Sequence, residues 1–227
     1  MASSSGVRVL LAGASGLVGR QALVQLLADP MVAEVRALVR RDLAPVEMLG
    51  PGHMAVSGLD KLRICKANFE RLEAQADWFD VDWVFCALGT TIRQAGSQAA
   101  FRQVDFDYPL QIAQLAKAQG ACRFMLVSAL GASARSKVFY SRTKGELEEA
   151  IKAMGFEHVS VARPSFLAGD RTEHRTGERI ALKLGFLMPA RYKPVRDAQV
   201  AAGLLASARA GKPGWHVLDN IALRRMR

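Results

Sequence analysis

Tyr140 and Lys144 stand four residues apart in the run YSRTKGELEEA. In a helix that spacing puts both on one face. An ammonium beside a phenol favours the phenolate and moves a tyrosine toward working pH. A tyrosine so tuned can pass a proton to or from a carbonyl or alcohol oxygen. Ser128 closes the apolar run RFMLVS just upstream and offers a hydroxyl to the same oxygen. A Tyr-x-x-x-Lys pair also arises by chance, and its bland reading is an exposed helix pair.

A second constellation lies near the start. Gly13-Ala14-Ser15-Gly16-Leu17-Val18-Gly19 forms G-x-x-G-x-x-G between an apolar run and a helical one. Gly13 permits a tight turn, Gly16 a close backbone approach to a pyrophosphate, and Gly19 close helix–sheet packing. The following helix offers free N–H groups and a positive dipole end to phosphates. A turn that merely packs is the alternative. The next strand ends in Val39-Arg40-Arg41 and then Asp42. An acid at that place holds the 2′-hydroxyl of NAD(H), whereas guanidiniums suit the 2′-phosphate of NADP(H). Asp42 comes late and could instead pair with an arginine. The expectation is NADP(H) over NAD(H).

These residues need elements to carry them. Val7 to Ala12, Glu34 to Arg40, Leu62 to Lys66, Val81 to Leu88, Arg123 to Ser128 and His158 to Arg163 read as strands. Leu17 to Ala28, Gln98 to Gln119, Lys137 to Met154 and Asp197 to Ala210 read as helices. Asp29-Pro30, Gly120 and Gly155 supply stop signals. Alternating strands and helices force parallel pairing with right-handed crossovers. The expected fold is therefore α/β: a doubly wound parallel sheet, the Rossmann fold, in three αβα layers. Residues 1–227 read as one domain, with a small C-terminal lid or substrate region over residues 164–195.

Composition narrows the function classes. The chain has 227 residues, half of them hydrophobic, enough for one sizeable core. Apolar windows are broken by Gly, Ser, Gln or Arg, so no membrane span is expected. Val9 to Leu27 resembles a signal peptide, but Arg20 and Gln21 interrupt it and no basic stretch precedes it. A cytoplasmic location is expected. Cys65, Cys86 and Cys122 are an odd, widely spaced set and read as reduced, buried thiols. His53, His158, His174 and His216 lack metal-ligand spacing; His158 reads as structural, and His174 as solvated or as a substrate contact. Trp78 and Trp83 flank the fourth strand and read as packing. The formal charge of +10 comes from scattered basic residues without a nucleic-acid-binding pattern. Nucleic acid is an unlikely partner on that ground. The Asp197–Ala210 helix is a candidate for homodimer formation, and a core-facing stripe explains it equally well.

The order of glycine loop, strand-end serine, then tyrosine and lysine resembles the short-chain dehydrogenase/reductase superfamily. Within it, the chain is similar to the atypical branch that includes the Tat-interacting protein related to oxidoreductases. GASGLVG, VRR, CALGTT, VDFDYPLQIAQLAK, VSALGA, YSRTKGELE and RPSFLAGDR carry the likeness, over roughly Gly6 to Asn220. The resemblance implies Ser128, Tyr140 and Lys144 as catalytic residues. It implies a cofactor site of residues Gly13 to Gly19 with Arg40, Arg41, Asn68, Leu88, Gly89, Thr90, Tyr140, Lys144 and Pro164. Leu88, Gly89 and Thr90 would line the nicotinamide ribose, and Pro164 would border the nicotinamide. Asn68 stands where relatives often carry an Asp near the adenine, its carbonyl keeping the acceptor role. Asp105 stands where many relatives have an Asn that supports a proton relay. The stretch after Arg163 is short beside the substrate lobe of extended members, which leaves Thr172 to Leu187 as a lid hinged at Gly177 and Gly185. Two functions are open at this point. One is an NADP(H)-dependent oxidoreductase of a small carbonyl or alcohol. The other is an NADPH-binding sensor or protein-interaction module with little turnover.

Overall fold

Long Val-, Leu- and Phe-rich runs suit strands covered on both faces. In the computed structural model, which describes residues 6–50, 56–168 and 189–226, such runs build a seven-stranded sheet. Its strands are β1 (Val7–Ala12), β2 (Val32–Val39), β3 (Leu62–Lys66), β4 (Trp83–Cys86), β5 (Arg123–Val127), β6 (His158–Arg163) and β9 (Gly214–Asp219). All pair in parallel, in the order β3-β2-β1-β4-β5-β6-β9. The two-residue strands β7 (Leu167–Ala168) and β8 (Val195–Arg196) pair separately. The helices are α1 (Leu17–Ala28), α2 (Pro45–Leu49), α3 (Ile92–Ala95), α4 (Gln98–Arg102), α5 (Tyr108–Ala118), α6 (Phe139–Ala153), α7 (Asp197–Ala210) and α8 (Asn220–Leu223).

Successive strand residues point to opposite faces, and the core divides accordingly. Val9, Leu11, Trp83, Phe85 and Met125 pack with residues of α1 and α7. Leu10, Ala12, Val84, Cys86, Phe124 and Leu126 pack with residues of α5 and α6. The result is the expected αβα sandwich. Strand order reverses between β1 and β4, and open α/β sheets bind ligands beyond the strand C-termini at such a point.

The apolar stripe of α7 is used inside the chain. Val200, Ala201, Leu204, Leu205 and Ala208 belong to the core cluster that includes α1. Gln25 of α1 donates to the Ala198 carbonyl at 3.1 Å. At the far end Arg209 donates to the buried Asp29 carboxylate at 2.7 Å. That carboxylate also accepts from the Met31 N–H, fixing the Asp29-Pro30 stop.

β2, β5 and α6 differ from the sequence reading by one or two residues at an end, and three differences are larger. β9 was not anticipated: it follows Pro213, opens on glycine and is only partly buried, as suits an edge strand. β4 is shorter than Val81 to Leu88, because the chain beyond Cys86 turns into the crevice. The helix expected over Gln98 to Gln119 is interrupted by a π-helical turn at Gln103–Asp107. The lid expected over Thr172 to Leu187, with Gly177, Gly185 and His174, lies outside the described residues, as does His53.

Candidate active site

The glycine loop joins β1 to α1 at the switch point. Gly13 has φ +89°, and a Cβ there would sit 2.6 Å from the Ala87 carbonyl oxygen. The two lips of the crevice are thus pressed together. A Cβ on Gly19 would lie 1.9 Å from the Gly13 carbonyl oxygen, so helix and loop can pack only with hydrogen there. Gly16 differs: its Cβ would meet only the Gly13 oxygen, at 3.3 Å. Ser15 and Gly16 are exposed, and Gly16 begins α1 without a side-chain cap. The first N–H groups of a twelve-residue helix are left for an external acceptor, and its first turn holds no acid. Ala14, Leu17 and Val18 complete the loop, with Ala14 and Val18 buried beneath it.

Beyond β2 and β3, Arg40, Lys66, Asn68, Phe69, Gln75 and Tyr108 line a cleft of about 430 Å³. The Phe69 and Tyr108 rings, 5.1 Å apart, give it an apolar wall. Burial, with Glu70 nearby, pushes the Tyr108 phenol up, so it stays a donor. Asp42 pairs with Lys66 at 2.6 Å, and not with an arginine, the alternative the sequence left open. No carboxylate of the described residues pairs with Arg40 or Arg41. The Asn68 carbonyl already accepts from the Glu70 N–H at 2.9 Å. Its freer group is therefore the amide donor, which amends the acceptor role expected of it.

The other lip carries the acid–base candidates. Tyr140 and Lys144 share one face of α6. The Tyr140 ring packs on Phe101 at 5.4 Å. Lys144 Nζ lies 2.8 Å from Asp105 Oδ1, with side-chain exposures of 5% and 1%. The contact is a buried ion pair, and the lysine is the one partner of Oδ1 among the described residues. Asp105 Oδ2 accepts from the Thr90 N–H at 2.9 Å. Burial alone would push the Lys144 ammonium down, but Asp105 and Tyr140 outweigh it and leave Lys144 raised and charged. Leu88, Gly89 and Thr90 pass directly over this pair. Cys86, fully buried below, is pushed up to about 11 by burial and stays a thiol. Cys65 is buried too, whereas Cys122 is only half-buried.

Ser128 is turned elsewhere. Its hydroxyl donates to Glu148 Oε1 at 2.5 Å, and both groups are buried. The Arg163 guanidinium clasps the same carboxylate through Nε and Nη2. A hydroxyl whose hydrogen is held by a carboxylate cannot also donate to a substrate carbonyl. The expected substrate-orienting role thus gives way, in this geometry, to support of Glu148. Pro164 is buried at the end of β6, its carbonyl accepting from the Leu130 N–H at 2.8 Å.

Glu148, Arg163 and Gly145 were not singled out from sequence. Glu148 repeats the four-residue step from Tyr140 and Lys144, a signal that was present. Gly145 lets the turn after β5 ride on α6: a Cβ there would lie 2.2 Å from the Ala134 nitrogen. Arg163 is found only by folding β6 beside β5.

A parallel sheet, a glycine loop at its switch point and a Tyr–Lys helix on the facing lip define a Rossmann-type NAD(P)-binding protein of the atypical short-chain dehydrogenase/reductase kind. The sequence matches the NAD(P)H-binding family over residues 13–209, and the chain belongs to that family. It is 36% identical over 182 residues to Protein HTATIP2 of Rattus norvegicus, spanning 80% of this chain and 71% of that protein. It is 32% identical over 173 residues to "Protein fmp52, mitochondrial" of Emericella nidulans, spanning 76% and 72%. Among solved structures it is similar to a UDP-N-acetylglucosamine 4-epimerase from Methanobrevibacter ruminantium, with TM-score 0.68, 14% identity and coverage of 95% and 77%. It is also similar to the Bordetella bronchiseptica enzyme WbmG in complex with NAD, with TM-score 0.67, 16% identity and coverage of 95% and 73%. At such identities the structural likeness is one of fold.

Proposed function

We propose that the chain is an NADP(H)-dependent oxidoreductase acting on a small carbonyl or alcohol. The observation that carries this reading is the pairing of Tyr140 and Lys144 on α6, across a crevice from an uncapped glycine loop. The dinucleotide would supply the hydride or accept it. The residues fit it: an exposed Gly16, free N–H groups on α1, and a cleft with an apolar wall at the adenine end. Arg40 and Arg41 take the 2′-phosphate, because neither is claimed by a carboxylate and Asp42 is held by Lys66. Tyr140 acts as general acid or base. Lys144 holds the ribose through its buried ammonium. Ser128 enters as a support of Glu148.

Calorimetry with NADPH and NADH tests the cofactor reading. Arg40→Ala should weaken NADPH by about ten- to a hundredfold, the worth of one charged hydrogen bond, and leave NADH nearly unchanged. Equal losses for both would refute the assignment of Arg40. Turnover is tested by Tyr140→Phe on any carbonyl the wild type reduces; full retained activity removes Tyr140 from the chemistry.

The buried Lys144–Asp105 pair favours a second reading, a nucleotide-binding module with little turnover, since the lysine already has a counter-ion. Steady NADPH oxidation across a carbonyl panel would eliminate it. A cytoplasmic location goes with either reading. Among the described residues no helix is long and apolar enough to cross a membrane, while the fungal relatives are named as mitochondrial. Fractionation of the native host decides between compartments.

A further inference from the structure

Asp105 reaches Lys144 by an unusual route. It sits inside the π-helical turn Gln103–Asp107, between α4 and α5. Such turns concentrate at functional sites, because the widened turn re-aims a side chain. Here the carboxylate is anchored on one oxygen by the Thr90 N–H and faces Lys144 Nζ with the other. Asp105 therefore ties the β4 lip of the crevice to α6. Gly89 separates the pair from the crevice: a Cβ built there would lie 3.5 Å from Asp105 Oδ1 and 3.7 Å from Lys144 Nζ. Whatever occupies the crevice at that lip lies within a short Coulombic distance of both charges.

The other groups buried beside the pair bring no free charge to it. Cys86 is a buried thiol. Glu148, one step further along α6, is neutralised by Arg163 of β6. The charges that meet the crevice at Gly89 are those of Lys144 and Asp105, and the two cancel.

We infer that Asp105 is a specificity-determining residue for the redox state of the bound cofactor, making the site neutral so that oxidised and reduced dinucleotide bind with comparable affinity. This rests on the dinucleotide reading above. The oxidised nicotinamide ring carries a positive charge and the reduced ring none. A lone buried ammonium at this lip would repel the oxidised ring. At an effective dielectric of ~20, unit charges at close range repel strongly enough to shift an equilibrium more than tenfold. Asp105 cancels that repulsion without removing the lysine.

The test measures the dissociation constants of NADP⁺ and NADPH by calorimetry on the full chain, for wild type, Asp105→Asn and Lys144→Met. The ratio of the two constants cancels any general loss of ribose contact. Wild type should show a ratio within about threefold of one. Asp105→Asn, which leaves an unpaired ammonium, should move the ratio toward NADPH by about tenfold. Lys144→Met, which leaves an unpaired carboxylate, should move it about as far toward NADP⁺. A separation between the two variants below about fivefold overturns the inference, as does a wild-type preference above about tenfold. Should Asp105→Asn fail to fold, Lys144→Met decides alone, and a change below about threefold from wild type overturns it. If neither nucleotide binds the wild type, the cofactor reading itself falls, a different outcome from an unmoved ratio.

Discussion

Ser128→Ala separates a structural from a catalytic serine. The hydroxyl donates to Glu148, which is 3% exposed and also held by Arg163. Removing it deletes one hydrogen bond to a charged acceptor inside the protein, a loss of ~1.5–3 kcal/mol. Arg163 Nε still reaches the same carboxylate oxygen at 3.1 Å, which keeps the loss toward the lower end. For a chain of this length each kcal/mol lowers Tm by ~2–4 °C. The expected drop is therefore about 3–8 °C, read by thermal denaturation without ligand. NADPH affinity should stay within about twofold, because the hydroxyl makes no contact with the glycine loop or the arginines. Glu148→Gln should overlap in effect with Ser128→Ala, so the double variant falls short of the sum of the singles. The reasoning fails if Tm is unmoved while carbonyl turnover collapses a hundredfold. That result would mean the serine leaves Glu148 when substrate arrives.

Gly16→Ala should melt within a few degrees of wild type yet lose most of the NADPH-induced rise in Tm, since Gly16 is exposed and its Cβ would press only on the Gly13 oxygen, at 3.3 Å. Gly19→Ala should instead lower the ligand-free Tm, because its Cβ would lie 1.9 Å from a backbone oxygen, and overpacking costs ~1–3 kcal/mol; equal ligand-free melting of the two variants would contradict this division. His158 is held below its usual range, chiefly by burial and further by His216 and Arg123, against the Lys212 carbonyl. The unfolded chain takes a proton near pH 6.5 and the folded one only lower, so stability is complete above that pH and falls as the pH drops from ~6.5 through the folded value. Urea midpoints at pH 7.5 and 5.5 measure this, and His158→Gln should flatten the difference. Cys86, a buried thiol pushed up to about 11, should react with an aromatic disulfide reagent far more slowly than Cys122 at pH 8, as peptide mapping of the labelled protein would show.

Local rules made the scaffold legible. The glycine spacing, the Asp29-Pro30 stop and the continuous apolar strands depend on sterics and hydrogen bonding within a few residues. They placed β1, α1, β3, β6 and α7 at their observed bounds. β9 escaped because an edge strand need not be apolar on both faces. The π-turn escaped because helical spacing continues on both sides of it.

The side-chain partners were another matter. Tyr140, Lys144 and Glu148 share a helix face by arithmetic, so their alignment was written in the chain. Even the parity of Ser128 was available, since Phe124 and Leu126 of the same strand face α5 and α6. What the folded chain alone decided is which charge meets which. Asp105 meets Lys144, Glu148 meets Arg163, and Lys66 takes Asp42 from the arginines. Those pairings join residues from separate elements. They depend on how helices seat on the sheet to within an ångström or so, and at that distance Coulomb and hydrogen-bond energies change most steeply.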